Sequence, residues 1–447
     1  MKKGWQTKTL GEICEIERGG SPRPIQNFIT TDPNGINWIK IGDATASEKY
    51  IYKTEEKIRP EGVKRSRMVY KGDFILSNSM SFGRPYIMKT TGCIHDGWLV
   101  LHQPKVDPDY LYYVLSSNLV FNQFDQLAAG STVRNLNIGL AKSVEIPYPP
   151  LPEQQRIVGI LDEAFEGIAT AKANAEKNLH NARALFESYF DSAVTGKLTQ
   201  EWRRKHGNTE NASAGLAVRL AERRKQWTGT GKYREPDSPI VLKPIDIPKG
   251  WVLASPEQIT THIVDCPHST PKWAESGVLC LRTTNFKPGF LDLESVRFVS
   301  QQTYKERIMR LEPKPGDVLY SREGGILGVA CMIPEQLKTC LGQRMMLFRT
   351  DPALVLPEYF TAVLNSTLVL SEVIRLTSGA ASPHLNICDI RTFPIPLPPI
   401  TEQRQIVSKL DAITTETQRL ESIYQHKLAA LDELKKSLLH QAFNGKL

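Results

Sequence analysis

The sequence predicts two globular α/β (α+β) domains that alternate with two long helices, with one unit written twice along the chain. Three observations support this prediction. Sequence motifs in the first half of the chain recur in the second half at a nearly constant spacing. Each copy ends in a long stretch with apolar residues at heptad spacing, which is typical of a coiled-coil helix. Each copy begins with short apolar or β-branched runs separated by glycine and proline, which indicates strands joined by turns.

The repeat is clearest in the second half of each copy. EQQRIVGILD at 153–162 returns as EQRQIVSKLD at 402–411, and AVTGKL at 193–198 returns as AFNGKL at 442–447, in both cases 249 residues later. An internal repeat of this length fixes the architecture before any single element is assigned. It predicts globular domains at 1–150 and 250–399, helices at 151–198 and 400–447, and a basic linker at 199–249 with a short helix over 216–227.

Composition and charge limit the class of protein. The 447 residues are 40% hydrophobic and 23% charged, as in a folded globular protein. A net charge of +8 favours an anionic partner such as nucleic acid or a membrane surface. Seven cysteines without a CxxC pair argue against a disulfide framework or a zinc ribbon and for a reducing compartment. The start is not that of a signal peptide, and no run of about 18 apolar residues occurs, so we expect a cytoplasmic protein with no membrane span.

Two heptad patterns predict the paired helices. Prolines precede each pattern, and Gly196 and Gly445 follow, as is usual at helix termini. Each helix is expected to have roughly 40 residues and a length of about 60 Å. The apolar positions step by three and four, and they are Ile157, Leu161, Ala164, Ile168, Ala171, Ala175, Ala182, Leu185 and Tyr189 in the first helix and Ile406, Leu410, Ile413, Thr417, Leu420, Tyr424, Leu431, Leu434 and Leu438 in the second.

One position of each heptad pattern is polar, at Asn178 and at its counterpart Lys427. Two interpretations stay open. The residues are a tolerated solvent-facing break, or they are a buried polar layer that fixes the register of the spacer at some cost in stability. If the helices pair antiparallel with pseudo-twofold symmetry, the two residues meet near the middle.

Three segments differ most between the two globular copies, while the scaffold around them is kept. IERGGSPRP at 16–24 stands against IVDCPHSTP at 263–271, SNSMSFGRP at 77–85 against SREGGILGV at 321–329, and DGWLVL at 96–101 against GQRMML at 342–347. Loops on a rigid scaffold are where recognition residues concentrate, and Arg, Asn and Gln are side chains that read base edges in DNA. The alternative is neutral drift of loops between duplicated domains.

No catalytic or cofactor signature is found in the sequence. A P-loop, a dinucleotide-binding glycine motif, a nucleophile elbow, an HExxH helix and a paired-cysteine zinc pattern are missing. So is the NPPY-like stretch of methyltransferases that act on a flipped base. Two divergent recognition-like domains without such chemistry indicate an adaptor. The rival classes are a self-sufficient nuclease or methyltransferase and a duplicated protein-interaction scaffold with no DNA role, and neither explains the divergent loops.

Together the motifs PLPEQQRIVGILD at 150–162, AVTGKLTQEWRRKH at 193–206 and PPITEQRQIVSKLD at 398–411 resemble the specificity subunit of type I restriction–modification enzymes. The resemblance covers essentially the whole chain. It implies two target-recognition domains that each read one half of a split site in double-stranded DNA, and two helices paired as an antiparallel spacer between them. It also implies two methylase subunits and two motor-nuclease subunits as partners. AdoMet, ATP and Mg²⁺ are then expected on those partners, with no cofactor, metal or catalytic residue on this chain.

Candidate site residues follow from the loops and from the resemblance. Candidates for contacts with bases or phosphates are Arg18, Arg23, Lys40, Asn78, Arg84 and Arg134 in the first copy and His268, Lys272, Arg282, Asn285, Arg322, Gln343 and Arg344 in the second. The loop 130–135 and its counterpart 379–384 either contact the DNA backbone or cap the domain. Methylase docking is expected on both helices, at Phe165, Phe186, Phe190 and Phe443, which alternatively belong to a broadened core stripe.

Overall fold

A computed structural model describes residues 4–45, 47, 49–78, 83–128, 136–206, 210–379 and 383–447. The chain forms two units. Unit 1 comprises Met1–Asn178 and Tyr424–Leu447, and unit 2 comprises Leu179–Ile423. Each unit therefore contains one globular copy together with a part of the first long helix and a part of the second.

The first copy has a mixed α/β fold that leads into a long helix. Its strands are β1 (Gln6–Thr9), β2 (Glu15–Arg18), β3 (Ile29–Thr30), β4 (Ile36–Ile39), β5 (Tyr50–Ile51), β6 (Glu56–Ile58), β7 (Arg67–Val69), β8 (Phe74–Ser77), β9 (Pro85–Met88), β10 (Gly92–Ile94), β11 (Trp98–His102) and β12 (Glu145–Tyr148). Its helices are α1 (Leu10–Ile13), α2 (Ile41–Thr45), α3 (Pro60–Val63), α4 (Pro108–Leu115), α5 (Asn118–Ala128), α6 (Ile138–Ser143) and α7 (Leu151–Val194).

The remainder of the chain contains the linker, the second copy and the second long helix. Its strands are β13 (Val252–Ala254), β14 (Thr260–Asp265), β15 (Trp273–Ala274), β16 (Val278–Leu281), β17 (Phe286–Lys287), β18 (Phe290–Leu291), β19 (Phe298–Val299), β20 (Val318–Ser321), β21 (Ala330–Met332), β22 (Thr339–Leu341), β23 (Met345–Thr350) and β24 (Ile395–Leu397). Its helices are α8 (Gln200–His206), α9 (Ala212–Lys225), α10 (Pro256–Ile259), α11 (Gln301–Arg307), α12 (Pro357–Leu364), α13 (Thr367–Thr377), α14 (Ile387–Arg391) and α15 (Ile400–Phe443).

The strand pairings carry the repeat that the sequence predicts. In unit 1 the sheets have the orders β2-β11-β8-β9-β5 and β3-β6-β4-β10-β7, and β1 pairs with β12. In unit 2 the corresponding orders are β14-β23-β20-β21 and β15-β19-β16-β22, and β13 pairs with β24. A parallel pair lies inside the second sheet of both units, β4 with β10 and β16 with β22. The predicted fold class, two α/β copies alternating with long helices, is confirmed.

A buried glutamine explains why both long helices begin with the same motif. Gln154 Nε2 donates to the Pro149 carbonyl at 2.8 Å, and its Oε1 accepts from the Asp107 amide at 2.8 Å. Gln403 forms the matching bonds in unit 2, where its Oε1 accepts from the Leu356 amide at 2.8 Å. Both glutamines are buried, so leaving these groups unpaired would be costly. The EQ pair therefore fixes the start of each long helix to its globular copy.

Within each unit the two long helices run antiparallel. Residues with higher numbers on or just after α7 contact residues with lower numbers on or just after α15. Contacts between the segments are Lys172–Asp432 at 2.5 Å and Arg156–Leu447 at 2.7 Å in unit 1, and Arg183–Glu421 at 2.6 Å and Leu198–Lys409 at 2.9 Å in unit 2. Apolar positions on the same faces are buried, among them Ile157, Leu161, Ile168, Ala175 and Ala182 on α7.

The heptad prediction is wrong by one residue at several positions. Four predicted positions are exposed, namely Asn178, Leu185, Lys427 and Leu434. The half-buried residues lie one position further along, at Leu179, Phe186 and Leu428. An α-helix with 3.6 residues per turn drifts by about 20° per heptad against a strict 3.5-residue repeat, hence by about 60° over three heptads. Asn178 and Lys427 consequently face solvent, and they form no buried polar layer among the described residues.

The basic linker is folded onto unit 2. Its helix α9 begins at Ala212, earlier than predicted, and α8 precedes it. Arg219 Nε and Arg223 Nη2 lie 2.7 and 2.9 Å from Asp351 Oδ2, and the Asp351 side chain is fully buried. Burial alone would raise the pKa of Asp351, but the hydrogen bonds from Arg219 and Arg223 hold it below its usual value. The charge of the linker thus serves the fold of unit 2.

A second buried carboxylate, that of Glu402, joins three segments of unit 2. Glu402 is 2% exposed, and it accepts hydrogen bonds from Thr199 Oγ1 at 2.6 Å and from Trp251 Nε1 at 2.8 Å. Arg203 Nη1 pairs with the same carboxylate at 2.5 Å. The segment after the first long helix and Trp251 at the start of the second copy therefore meet the start of α15 at one ion pair, which charge-assisted hydrogen bonds stabilise.

Every cysteine is a free thiol, and all but Cys388 are buried. In the described part of the chain, no single helix has the length and apolar composition to cross a membrane, although α12 and α13, bent by 49°, pass that test as a pair.

Replacing Leu428 by alanine is expected to lower the thermal unfolding midpoint by several degrees, because this half-buried side chain loses about 1–2 kcal/mol of packing. Differential scanning calorimetry measures the shift. Leu434→Ala, at an exposed position on the same helix, is the matched control and is expected to change the midpoint by less than about 1 °C. A larger loss in Leu434→Ala than in Leu428→Ala would support the strict heptad pattern instead.

Acid is expected to destabilise unit 2 through Asp351. Its folded pKa is lowered, so the stability it contributes is fully present above the unfolded pKa of about 3.9 and is lost as the pH falls from there through the folded value. The gap in unfolding midpoint between the wild type and Asp351→Asn should therefore be widest near pH 7 and should shrink below about pH 4. Asp411→Asn removes an exposed carboxylate of the same unit and serves as the control; a pH-independent gap for Asp351→Asn contradicts the prediction.

Candidate nucleic-acid interface

One end of the first sheet in unit 1 brings three loops together. The central strand β11 runs antiparallel to β2 and β8, with Leu99 opposite Arg18 and Trp98 opposite Ser77. The loops that follow β2 and β8 therefore meet the loop that precedes β11. We call this surface end 1, and its described residues are 19–24, 78, 83–84 and 95–97, with Arg18 at its edge.

The same geometry recurs in unit 2. The central strand β23 runs antiparallel to β14 and β20, with Met346 opposite Asp265 and Met345 opposite Ser321. The loops 266–271, 322–328 and 342–344 form end 2, with Lys272 at its edge. These loops lie in the three segments that differ most between the copies in sequence, so the divergence is concentrated at one end of each sheet.

Asp96 holds the loops of end 1 together. Its carboxylate accepts from Ser21 Oγ at 2.6 Å and lies 3.4 Å from Arg23 Nη2. Its backbone carbonyl accepts from Arg18 Nε at 3.1 Å and from Asn78 Nδ2 at 2.9 Å. The hydrogen bond from Ser21 lowers the pKa of Asp96, so the carboxylate is ionised at neutral pH. Arg18 and Arg23 are exposed, and a guanidinium has five donors, so both keep donors for another molecule.

A largely buried histidine lies beneath end 1. The His95 ring is 6.3 Å from the Trp38 ring and 6.0 Å from the Trp98 ring, and its Nδ1 accepts from the Gly97 amide at 2.8 Å. Burial lowers the pKa of His95, so the imidazole is neutral at pH 7. A Cβ atom on Gly19 would lie 2.0 Å from the His95 carbonyl oxygen, so the first loop packs at a distance that only glycine allows.

The centre of end 2 is a buried ion pair. Arg322 Nε and Nη2 donate to the two oxygens of Asp265 at 2.9 and 3.1 Å, and Nη1 donates to the Leu385 carbonyl at 3.2 Å. Burial alone would lower the pKa of Arg322, but Asp265 raises it, so the guanidinium stays charged. His268 Nε2 lies 3.0 Å from the Asp265 carboxylate, with 63% of its side chain exposed. Arg322 is thus committed to the protein, whereas His268 is accessible.

The third loop of end 2 is tied to the first. Gln343 Nε2 donates to the His268 carbonyl, and Thr270 Oγ1 lies 3.4 Å from Gln343 Oε1. Arg344 follows with φ = 67°, a left-handed conformation that is uncommon outside glycine and that concentrates at functional positions. Arg344 and Lys272 are both exposed, so end 2 presents two cations beside a rigid loop pair.

A family model described as the type I restriction modification DNA specificity domain matches residues 2–179 and 296–426, which is more than half of the chain. The chain belongs to this family.

Its relatives are named specificity subunits. The EcoKI specificity subunit of Escherichia coli K12 is 24% identical, over 100% of this chain and 90% of the relative, and the MjaIX specificity subunit of Methanocaldococcus jannaschii is 22% identical, over 100% and 94%. A chain from a structural study of complex assembly and conformational transition of the type I R-M system has a TM-score of 0.71 at 19% identity, covering 100% and 99%. The HsdS subunit from Thermoanaerobacter tengcongensis has a TM-score of 0.55 at 18% identity, covering 100% and 98%. The solved structures share the fold, and the names of the relatives confirm the predicted class, the specificity subunit.

Some of the predicted DNA-contact residues of this specificity chain lie away from ends 1 and 2 or outside the described residues. Lys40 and Arg282 follow the matching strands β4 and β16, where they bond the Glu56 carboxylate at 2.7 Å and the Ser295 carbonyl at 3.0 Å. Arg134, with the loop 130–135, lies outside the described residues, as does part of the loop 379–384. The exposed or half-buried candidates at ends 1 and 2 are Arg18, Arg23, Arg84, His268, Lys272, Gln343 and Arg344.

Three predicted base readers are structural instead. Asn78, Asn285 and Arg322 are 1%, 3% and 6% exposed. Asn285 Nδ2 donates to two carbonyls of the next loop, and its Oδ1 accepts from the Arg282 amide at 2.9 Å. Their donors satisfy carbonyls or a carboxylate of the specificity chain itself, so the prediction that they contact DNA is wrong for the described conformation.

Sequence reasoning missed the acidic centres of both ends and one arginine. It selected side chains that donate to bases, although Asp96 opens one divergent segment and Asp265 lies within another. Arg307 gave no signal, since it lies on α11 outside all three segments. In the structure it is 6% exposed and donates to carbonyls in two loops of end 2.

The four phenylalanines predicted for methylase docking fall into two groups. Phe443 is 4% exposed, and its ring packs edge-on at 5.7 Å from Tyr110, so it belongs to the core of unit 1 and the docking prediction is wrong for it. Phe165 is half-buried, 5.3 Å from the Tyr113 ring. Phe186 and Phe190 are half-buried with rings 4.6 Å apart. These three residues line surface cavities beside the helix pairs.

Proposed function

We propose that this chain is the DNA-recognition subunit of a type I restriction–modification complex, in which each unit reads one half of an asymmetric bipartite site in double-stranded DNA. One observation carries the proposal. Ends 1 and 2 are built from the same three loops of the same sheet, yet they present different side chains. A repeated scaffold with unlike contact residues is what reading two unlike half-sites requires.

The accessible side chains at each end are suited to the groove of a duplex. Arg18 and Arg23 at end 1 have guanidinium donors that match the O6 and N7 acceptors of guanine, or two phosphate oxygens. At end 2, Lys272 supplies positive charge for phosphates, and Arg344 supplies guanidinium donors for a base or for phosphates. His268 supplies its second ring nitrogen, because Nε2 faces Asp265. In the proposed complex the charge contacts position the duplex, and bidentate contacts select the bases.

The long helices are proposed to set the distance between the half-sites. Each helix runs for 44 residues without a break, which corresponds to about 66 Å. A turn of B-DNA is about 34 Å, so helices of this length suit two half-sites separated by a fixed gap of unread bases.

The cavities beside the helix pairs are the proposed docking sites for two methylase subunits. In unit 1 a cavity of about 710 Å³ is lined by Tyr113, Phe165 and Lys435 among others. In unit 2 a cavity of about 210 Å³ lies against Phe186 and Phe190. Both combine aromatic surface with charged rims, which suits a side-chain anchor from another protein.

The remaining partners and cofactors are assigned to the complex and not to this chain. Two motor-nuclease subunits complete the proposed assembly, which acts in the cytoplasm. AdoMet, ATP and Mg²⁺ are proposed to bind those partner subunits. In the described part of this chain, no group of three His, Cys, Asp or Glu side chains is placed to hold a metal ion.

The function is tested by mapping methylated bases in cells with and without this gene, with the methylase partner present. We expect the gene to be required for methylation of a motif made of two unlike halves and a fixed gap. An unchanged map would reject DNA recognition and favour the protein-interaction scaffold. Methylation by the purified chain alone would favour the self-sufficient enzyme.

Two matched variants assign the halves. Arg23→Ala is expected to relax base preference or lower methylation through the first half-site alone, and Arg344→Ala through the second alone, because each removes one exposed guanidinium from one end. Losing one such contact costs about 1–3 kcal/mol, or roughly five- to 150-fold in discrimination. The same methylation map reads out both variants, and relaxation of both halves by either one would contradict the assignment.

A change in helix length should change the gap and nothing else. Duplicating four residues in α7 and the facing four in α15 adds about 6 Å, which corresponds to one or two additional unread base pairs. Both half-sites should be kept. The same number of residues inserted at 228–231, in the exposed part of the linker, is the control and should leave the gap as it is. Retention of the old gap in the helix variant would reject the spacer role.

A further inference from the structure

Arg307 links two loops of end 2 through one side chain. It ends α11 and is 6% exposed. Its Nε donates to the Leu341 carbonyl at 2.5 Å and its Nη2 to the Gly342 carbonyl at 2.6 Å. Its Nη1 donates to the Ser269 carbonyl at 3.1 Å and its Nη2 also to the Pro267 carbonyl at 3.1 Å. One guanidinium therefore spans the first and third loops.

The four acceptors are backbone carbonyls, which is a costly arrangement for a cation. Burying a charge is unfavourable unless its hydrogen bonds are made, and these four bonds occupy most of the five donors. The guanidinium is also planar and rigid, so it fixes the distance between the two loops in a way that a flexible ammonium does not. The guanidinium is thus a rigid link between loop 266–271 and loop 342–344, in addition to the bonds of Gln343 to His268 and Thr270.

In its described residues, end 1 joins the same two loops without a buried cation. The Gly19 amide donates to the Trp98 carbonyl at 2.9 Å and the Gly20 amide to the Ile94 carbonyl at 3.2 Å. Ser66 Oγ donates to the same Ile94 carbonyl at 3.0 Å. Ile94 ends β10 just as Leu341 ends β22. At end 1 the first loop thus bonds the end of strand β10 directly. At end 2 the Arg307 guanidinium lies between the first loop and the end of strand β22 and bonds both.

The two loops that Arg307 joins carry the accessible residues of end 2. His268 lies between Pro267 and Ser269, both of which accept from Arg307. Gln343 and Arg344 directly follow Gly342, which also accepts from it. A change at Arg307 therefore moves contact residues that it does not itself touch.

We propose that Arg307 is a positioning residue that sets the base preference of the second half-site, an inference that rests on the proposed function. Arg307 contacts no base. It holds His268, Gln343 and Arg344 in one arrangement relative to each other. End 1 has no need of such a residue, so the effect of its loss is confined to one half of the target.

The test uses Arg307→Lys and Arg307→Gln in the full chain with the methylase partner, and Arg375→Lys, an exposed arginine of the same unit, as the matched control. Methylation maps are recorded together with hydrogen–deuterium exchange of the purified chain. Both Arg307 variants should raise methylation at sites with one wrong base in the second half by about tenfold relative to cognate sites. The first half and the gap should be unchanged, and exchange should increase in the peptides that cover 266–271 and 341–344. The control should match the wild type.

Three results overturn the proposal. An unchanged two-part motif in both Arg307 variants means that the loops hold their positions without the guanidinium. A uniform loss of methylation, with faster exchange throughout unit 2, means that the residue only maintains the fold. A wild-type map without a two-part motif removes the proposed function itself, and it differs from the other two results because it requires no variant.

Discussion

The antiparallel pairing of two strands with one central strand is the constraint on which the candidate interface depends. β2 and β8 flank β11, and β14 and β20 flank β23. Since both neighbours run opposite to the central strand, their ends coincide with its beginning. The strands are held by buried apolar residues, so the loops can change without loss of the sheet. One strand order therefore produces a constant scaffold with a variable end, in each unit separately.

The two ends differ by an inversion of charge at one strand position. Trp98 and Met345 both face a serine across the sheet, so the next pairs along, Leu99 with Arg18 and Met346 with Asp265, are equivalent. A cation in unit 1 thus stands where unit 2 has an anion. The contacts differ with it: Arg18 donates to the Asp96 backbone carbonyl at end 1, whereas Asp265 accepts from Arg322 through its carboxylate at end 2. Where end 1 has Arg18 and Asn78, end 2 therefore has two residues that form a buried ion pair with each other.

Much of this architecture was predictable, because the repeat carries register information that a single domain lacks. In the described residues, the divergent segments 16–24, 77–85 and 96–101 meet at one end of a sheet, as do their counterparts. Side-chain roles were less predictable. Asn78 and Arg322 are the residue types that read bases, but the fold leaves carbonyls and a carboxylate beside them that need donors first. Arg307 reaches end 2 from a helix about 40 residues away in sequence from the first loop, and no local pattern reveals such a contact.

Positive charge in this chain is a poorer guide to the interface than its total suggests. Several arginines of unit 2 form ion pairs within the unit. The pairs are Arg203 with Glu402, Arg349 with Asp317, and both Arg219 and Arg223 with Asp351. In these pairs each cation is neutralised by a carboxylate of the same chain, so it is not available to bind a phosphate. Under the proposed function the electrostatic part of DNA binding therefore comes from the few exposed cations at each end. Each phosphate they neutralise steepens the fall of log K with log salt concentration by about 0.9. Sequence discrimination then rests on how rigidly the loops hold those few side chains, which is why the groups beneath them, Asp96 in unit 1 and Asp265 in unit 2, matter as much as the cations themselves.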